Sequence, residues 1–273
     1  MNADSEVPNT RFLSHRPRLA DLLAPLLVLM LVVAVWQAVV SFGKIHPILL
    51  PSPTAVAKSA WKIRSDLFNA AGRTALAATA GLVLSVLAGT LTAFAFSQSG
   101  LIRRALYPYA VLLQTIPIIA IAPIVIVTFG RGFFSITLVA GVISLFPIIT
   151  STTTGLLQID PNLLDLFRLN HATRWQTLIK LRVPSALPYL LSGIRIASGA
   201  AIVGAIVGEF FVGSGQPGLG AIIQRKSASM DLSELYATVL TSTALGTIAF
   251  GSITVVGESV LRRWFGMSLG GRS

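Results

Sequence analysis

Apolar residues in this chain come in long unbroken runs, without the short periods of a half-buried surface. Six runs are long enough to cross the roughly 30 Å of a bilayer core: Leu19–Phe42, Thr74–Phe96, Tyr107–Phe129, Phe133–Leu156, Ala186–Val212 and Tyr236–Leu261. An open sheet in lipid would leave amides unsatisfied, and a closed barrel would alternate in segments of about ten residues. Each run therefore predicts a helix, and the fold class is all-α and polytopic, with six transmembrane helices.

The segments between the runs are patterned differently. "PSPTAVAKSAWKIRSDLF" places Pro53 at a first helical turn and repeats Val56, Ala60, Ile63 and Leu67 at helical spacing. It reads either as an amphipathic helix in the outer interface or as a solvated loop helix. The third run carries Pro117 and Pro123, each of which removes an amide donor and bends the helix. With Gln114 and Thr115 beside them, these prolines are candidates for lining a pathway or, equally, for packing. The segment from Gln158 to Pro184 offers Asp160 as an N-cap with Pro161 in the first turn, then a second short helix from Thr173 that Pro184 ends. Two short helices, each with a basic and an apolar face, make a docking surface.

Composition agrees: of 273 residues, 53% are hydrophobic and 11% charged, against roughly 25% charged in soluble domains. The net charge of +11 sits in loops, where it acts as an orientation signal and not as a nucleic-acid footprint. An inside N-terminus puts Arg103, Arg104 and the basic residues of 158–185 inside with Arg262 and Arg263. Most of the outside ones (Lys44, Lys58, Lys62, Arg64, Arg73) fall in one long segment, where the bias counts less. Both termini are expected to be cytoplasmic, with 1–18 and 266–273 as tails around a membrane domain of 19–265. The first run is too long for a signal peptide and has no A-x-A-like site after it, so it reads as a retained helix.

Several chemistries are excluded. The chain has no cysteine, hence no thiolate ligand or nucleophile. His15, His46 and His171 lie in separate segments, so no metal site is expected, and no cofactor motif occurs. There is no phosphate-cradling G-x-x-x-x-G-K-[ST] loop. "GSGQPG" from Gly213 spells G-x-G-x-x-G but follows a membrane helix, so it reads as a turn.

The run "IDPNLLDLFRLNHATRWQTLIKLRVPSALPYLLSGIRIA" resembles the cytoplasmic loop of binding-protein-dependent ABC importer permeases. "LLPSPTAV", "PIIAIAPIVIVTFG" and "GEFFVGSGQPGLG" extend the likeness to a sub-group that includes nitrate, sulfonate, taurine and thiamine-precursor pyrimidine permeases. The resemblance implies a type I importer permease of the inner membrane, working as a homodimer with two ATPase subunits and a solute-binding protein. ATP hydrolysis then belongs to a partner, and this chain is not an enzyme. The family's loop pattern falls on Asp165, Leu166, Phe167 and His171, ending on Val183 and Pro184; Arg168, Arg174 and Trp175 join them as expected ATPase contacts. His171 stands where the pattern has glycine. It carries either a strain cost or a surface re-cut for its own partner, and bulky Leu166 and Phe167 favour the second.

Within the fifth span, Arg195 and Glu209 are separated by about 21 Å on one face. Arg195 is expected to snorkel towards the cytoplasmic loops; Glu209 is a pathway or gate residue, or an interfacial structural one. The solute is expected to be a pyrimidine or vitamin precursor ahead of a nitrate- or sulfonate-type anion. The reading of another class is a membrane enzyme or anchor that recruits a partner through its central loop.

Overall fold

A computed structural model describes residues 19–212 and 217–265. Both predicted tails, with Arg11, His15, Arg16, Arg18 and Arg272, and the Gly213–Gln216 part of the glycine motif lie outside the described residues. The elements in chain order are α1 (Leu19–Phe42), α2 (Pro53–Lys62), α3 (Arg64–Gln98), α4 (Gly100–Thr115), α5 (Ile118–Phe129) and α6 (Phe133–Leu157). They are followed by α7 (Pro161–Leu169), α8 (Arg174–Thr177), a π turn (Leu178–Arg182), α9 (Val183–Val212), α10 (Leu219–Ala228) and α11 (Leu232–Phe265). Two compact units divide at Ala55, the first holding α1. Among the described residues five helices are long and apolar enough to cross a membrane, and the bent pair α4–α5 passes the same test only when its two helices are taken together. Helix α1 coincides with the first predicted run, and its apolar side chains from Leu23 to Val33 are exposed.

The second unit is built around α3, α6 and α9, which pack against one another most extensively. Lipid tails are as apolar as leucine, so helices here associate through close van der Waals contact and interhelical hydrogen bonds. Small residues provide both. A Cβ on Gly81 would lie 2.7 Å from that of Ala140, and one on Gly204 would lie 2.7 Å from the Ala140 Cα. Ala77, Ala78, Ala140, Ala201, Ile202 and Ala205 form the core there. The Ser85 hydroxyl donates to the Gly141 carbonyl at 2.6 Å, and that of Ser144 donates to the Ala197 carbonyl at 3.3 Å.

Three predicted elements differ. The third predicted run is two helices, α4 and α5, set at 100° to each other. Pro117 is the cause: its ring pushes the preceding residue out of the α region, and Ile116 lies at φ −72°, ψ 125°. Pro123, by contrast, is tolerated inside α5. Pro184 does not end the second short helix, because α8, the π turn and α9 run on from Arg174 to Val212. The π turn shifts the carbonyl register just before the proline, at the place where an α-helix would meet its ring. Finally, the stripe Val56, Ala60, Ile63, Leu67 faces protein: Ala60 and Ile63 pack on a cluster of Leu67, Ala70, Leu219 and Ile222.

Helix α10, not among the predicted elements, is held by a buried carboxylate. Glu209 is 4% exposed. It accepts the Thr74 hydroxyl at 2.9 Å and the Gly220 amide at 2.9 Å, while Thr74 accepts the Leu219 amide at 3.0 Å. The first amides of a helix have no internal partner and carry partial positive charge, so Glu209 caps α10 from another helix. A Cβ on Gly218 would fall on this carboxylate, and one on Gly220 would fall on the Ile206 carbonyl.

The seam makes a direct prediction. Gly81→Ala forces a methyl into Ala140 and the Thr137 carbonyl and should destabilise the protein by about 1–3 kcal/mol. Gly72→Ala, with open space around it, should not. Thermal unfolding of the two purified variants in detergent, compared with the parent, checks both.

Candidate functional site

The segment from Gln158 to Ser185 projects from one end of the α3–α6–α9 bundle. Asp160 caps α7 by accepting the Asn162 amide at 2.9 Å, with Pro161 in the first turn. Thr173 and Gln176 form a reciprocal capping box at α8. Both starts match the sequence reading, because caps are local chemistry.

Between them the chain reverses through a Schellman turn. The His171 amide donates to the Arg168 carbonyl, and the Ala172 amide donates to the Phe167 carbonyl, both at 3.0 Å. This closure requires a left-handed residue at His171, which has φ 51°. The position where the resembled pattern carries glycine is thus one of positive φ.

One side of the segment is anchored. Leu178 and Ala186 pack with Ala93 and Leu156, Leu181 is buried, and Arg182 donates to the Ser97 carbonyl at 3.2 Å. The other side is apolar and uncovered: Leu163, Leu166 and Leu169 recur along α7, Leu169 is 78% exposed, and Trp175 is 71% exposed. Asp165 and Arg168 pair at 3.0 Å on the exposed surface. A cavity of about 470 Å³ lies between the segment and the end of α3, lined by Ser97, Gln98, Leu164, Arg168, Arg174 and Arg182. Leu166 and Trp175 lie on the exposed apolar side, and Asp165 pairs with Arg168 on the exposed surface. Arg168 and Arg174 also line the cavity facing α3, Phe167 is half-buried, His171 makes the turn, and Pro184 belongs to the base of α9. An exposed leucine row beside arginines can take an apolar, acidic protein surface.

The predicted pathway residues are scattered. Gln114, Thr115 and Pro117 are exposed at the α4–α5 break, and the Thr115 hydroxyl donates to its own helix at Leu112. Pro123 is half-buried in α5. Glu209 lies at the other end of α9 in the α10 clamp, next to a cavity of about 360 Å³ that includes Arg73, Phe133 and Ile136. Arg195 does not reach the loop segment; its guanidinium stacks over Phe250 of α11, 4.8 Å from the ring centre.

A charged cluster at the α10 end was missed. Glu234 pairs with Lys62 at 3.3 Å and with Lys226, which also meets Asp231 at 3.5 Å. Glu234 beside it raises the pKa of the Lys226 ammonium above its ordinary value. These side chains, with Asp66, Asn69 and Arg225, line a cavity of about 480 Å³. The available signal was "DLSE", where Asp231 accepts the Glu234 amide at 3.3 Å and opens α11.

Among the described residues no group of His, Cys, Asp and Glu could hold a metal. The described residues of the second unit form a helical bundle with the exposed segment 158–185 at one end.

Known proteins are similar to this chain in sequence. A "Probable ABC transporter permease protein" of Haemophilus influenzae is 34% identical over 85% of this chain and 94% of its own. The "Formylaminopyrimidine transport permease protein ThiX" of Halalkalibacterium halodurans is 34% identical over 89% of this chain and 96% of its own. The "Riboflavin transport system permease protein RibX" of Chloroflexus aurantiacus is 33% identical over 86% and 88%. The profile described as "Binding-protein-dependent transport system inner membrane component" matches residues 81–264, a stretch that takes in α6, residues 158–185, Glu209 with α10, and most of α11. The chain belongs to that family: it is a multi-pass inner-membrane permease subunit of an ABC importer.

Proposed function

We propose that this permease forms the solute pathway as a homodimer, receives its solute from an external binding protein, and is driven by two copies of a separate ATPase seated on residues 158–185. The observation that carries the reading is the uncovered leucine row and Trp175 on a segment whose opposite side is locked to α3. A surface that is rigid underneath and apolar outside suits transmission of force from a partner. The basic residues around it support a cytoplasmic location, with both termini on the same side and α10 outside. ATP is hydrolysed by the partner.

We infer a vitamin-type heterocycle as the solute, ahead of a nitrate- or sulfonate-type anion. Support comes from the two relatives named for formylaminopyrimidine and riboflavin, at 34% and 33% identity. The solute-binding protein that works with this permease should be stabilised against heat by a formylaminopyrimidine and not by taurine or nitrate; the reverse order would support the anion reading.

Asp165→Lys should uncouple the ATPase. The Asp165–Arg168 pair is exposed, so its loss affects folding by well under about 1 kcal/mol. Solute uptake by cells carrying the variant should fall at least tenfold while the amount of permease in the membrane stays constant. Unchanged uptake would remove Asp165 from the interface.

His171→Gly separates strain from recognition. A left-handed non-glycine residue costs about 1 kcal/mol, and strain kept at an exposed residue points to function. The variant should retain less ATPase through detergent purification than the parent does. Full retention with normal transport would assign His171 no role in recognition.

A further inference from the structure

Helix α9 carries a fixed positive charge deep within the membrane domain. Arg195 lies about 18 Å along the axis from Val183 and about 26 Å from Val212. It is therefore within the hydrocarbon thickness from either end. Charges at such depth face a bundle interior or a watery cavity, and they pair with one another or with backbone carbonyls. Here the expected partner is missing. Among the described residues no carboxylate pairs with Arg195, and its buried Nε has no hydrogen-bond partner. Glu209, on the same helix, is about 21 Å away and is engaged by Thr74 and Gly220.

What the guanidinium does touch is the ring of Phe250. Stacking satisfies the flat face of the cation and leaves its fork of N–H donors to another acceptor. The described residues leave the space beside it open. A Cβ added at Gly199, one turn further along α9, or at Gly251, next to Phe250, would meet nothing within 4 Å. The adjoining α9 residues Ile196 and Val203 are more than half exposed. The same helix continues without a break to Arg174 and Trp175 in the docking segment, so a displacement there is carried directly to Arg195.

We propose that Arg195, oriented by Phe250, is the charge-selecting residue of the solute pathway. It holds the acceptor oxygens of a passing solute, whether a carboxylate, sulfonate or nitrate group or the carbonyl of a neutral heterocycle, and it turns cations away. This rests on the permease reading and adds the class of solute that reading leaves open: acceptor-bearing and never cationic.

The chain has no cysteine, so Gly199→Cys, or Gly251→Cys if the first is poorly made, gives a single reporter beside the guanidinium. Membrane vesicles holding the full-length permease with its ATPase are treated with an anionic and a cationic methanethiosulfonate. Each rate is divided by that reagent's rate with free mercaptoethanol. A unit charge one turn away should favour the anionic reagent by roughly tenfold or more, and Arg195→Gln in the same background should bring the ratio to within about twofold of one. Equal rates in the Arg195 parent, or a preference that survives Arg195→Gln, would overturn the charge filter. Reaction with a membrane-permeant maleimide but with neither polar reagent would put Arg195 off the pathway and overturn it too. ATP-driven uptake by the unsubstituted complex is measured alongside; its presence in either case would leave the permease reading standing while this inference falls.

Discussion

Hydrocarbon provides neither hydrogen bonds nor a hydrophobic drive between helices, and the arrangement of this chain follows from those two facts. Helices must satisfy their own amides, and they must meet closely enough for dispersion to hold them. The seam of Gly81, Ala140, Gly141, Ala201 and Gly204 between α3, α6 and α9 meets the second demand. Ser85 and Ser144 satisfy their own hydroxyls, and tie the helices together, by donating to backbone carbonyls across or along that seam. Where the backbone does leave helical geometry, a local device covers it. The amides opening α10 are taken by Glu209 and Thr74, and the reversal after α7 closes as a Schellman turn.

That frame fixes which parts can act. The segment 158–185 is anchored by Leu178, Leu181 and Arg182 and continues as one helix from Arg174 into α9. In the proposed mechanism, an ATPase closing beneath Trp175 moves α9 as a rod. At the far end the rod carries Glu209, and with it the cap of α10 and the neighbouring cavity that includes Lys62, Lys226 and Glu234. A buried carboxylate is costly unless hydrogen-bonded, so the Glu209 contacts should move together with the helix. In this mechanism both ends of the proposed solute path are tied to one rigid element.

The elements legible in the sequence were those set by local chemistry or sheer length. Five of the six apolar runs fall on helices long enough to cross a membrane, and the third falls on the bent pair α4–α5; α3 and α11 extend beyond the predicted ends. Asp160, Pro161 and Thr173 announced their helices, and the loop pattern marked His171 as a turn residue. Tertiary context hid the rest. Nothing in "LLQTIPIIAIAP" distinguishes a bend from a 100° break, because that depends on which neighbour can accept Ile116 in extended geometry. A π turn has no sequence signature of its own, so Pro184 read as a terminator. The clamp joining Thr74, Glu209 and Gly220 brings together residues from three helices, and its sequence trace was only the close pair Gly218 and Gly220. For Arg195 the partner was Phe250, on a different helix, which spacing along α9 does not reveal.

The central claim is that residues 158–185 are the seat of a separate ATPase. Its most direct test is to place a photoreactive amino acid at Trp175, co-express the permease with the ABC ATPase of its transport system, and irradiate intact membranes. The account predicts a covalent permease–ATPase product whose yield changes when ATP is trapped on the ATPase, and no such product from the same probe at Phe68, exposed in the first turns of α3. Crosslinking from Phe68 and none from Trp175 would contradict it.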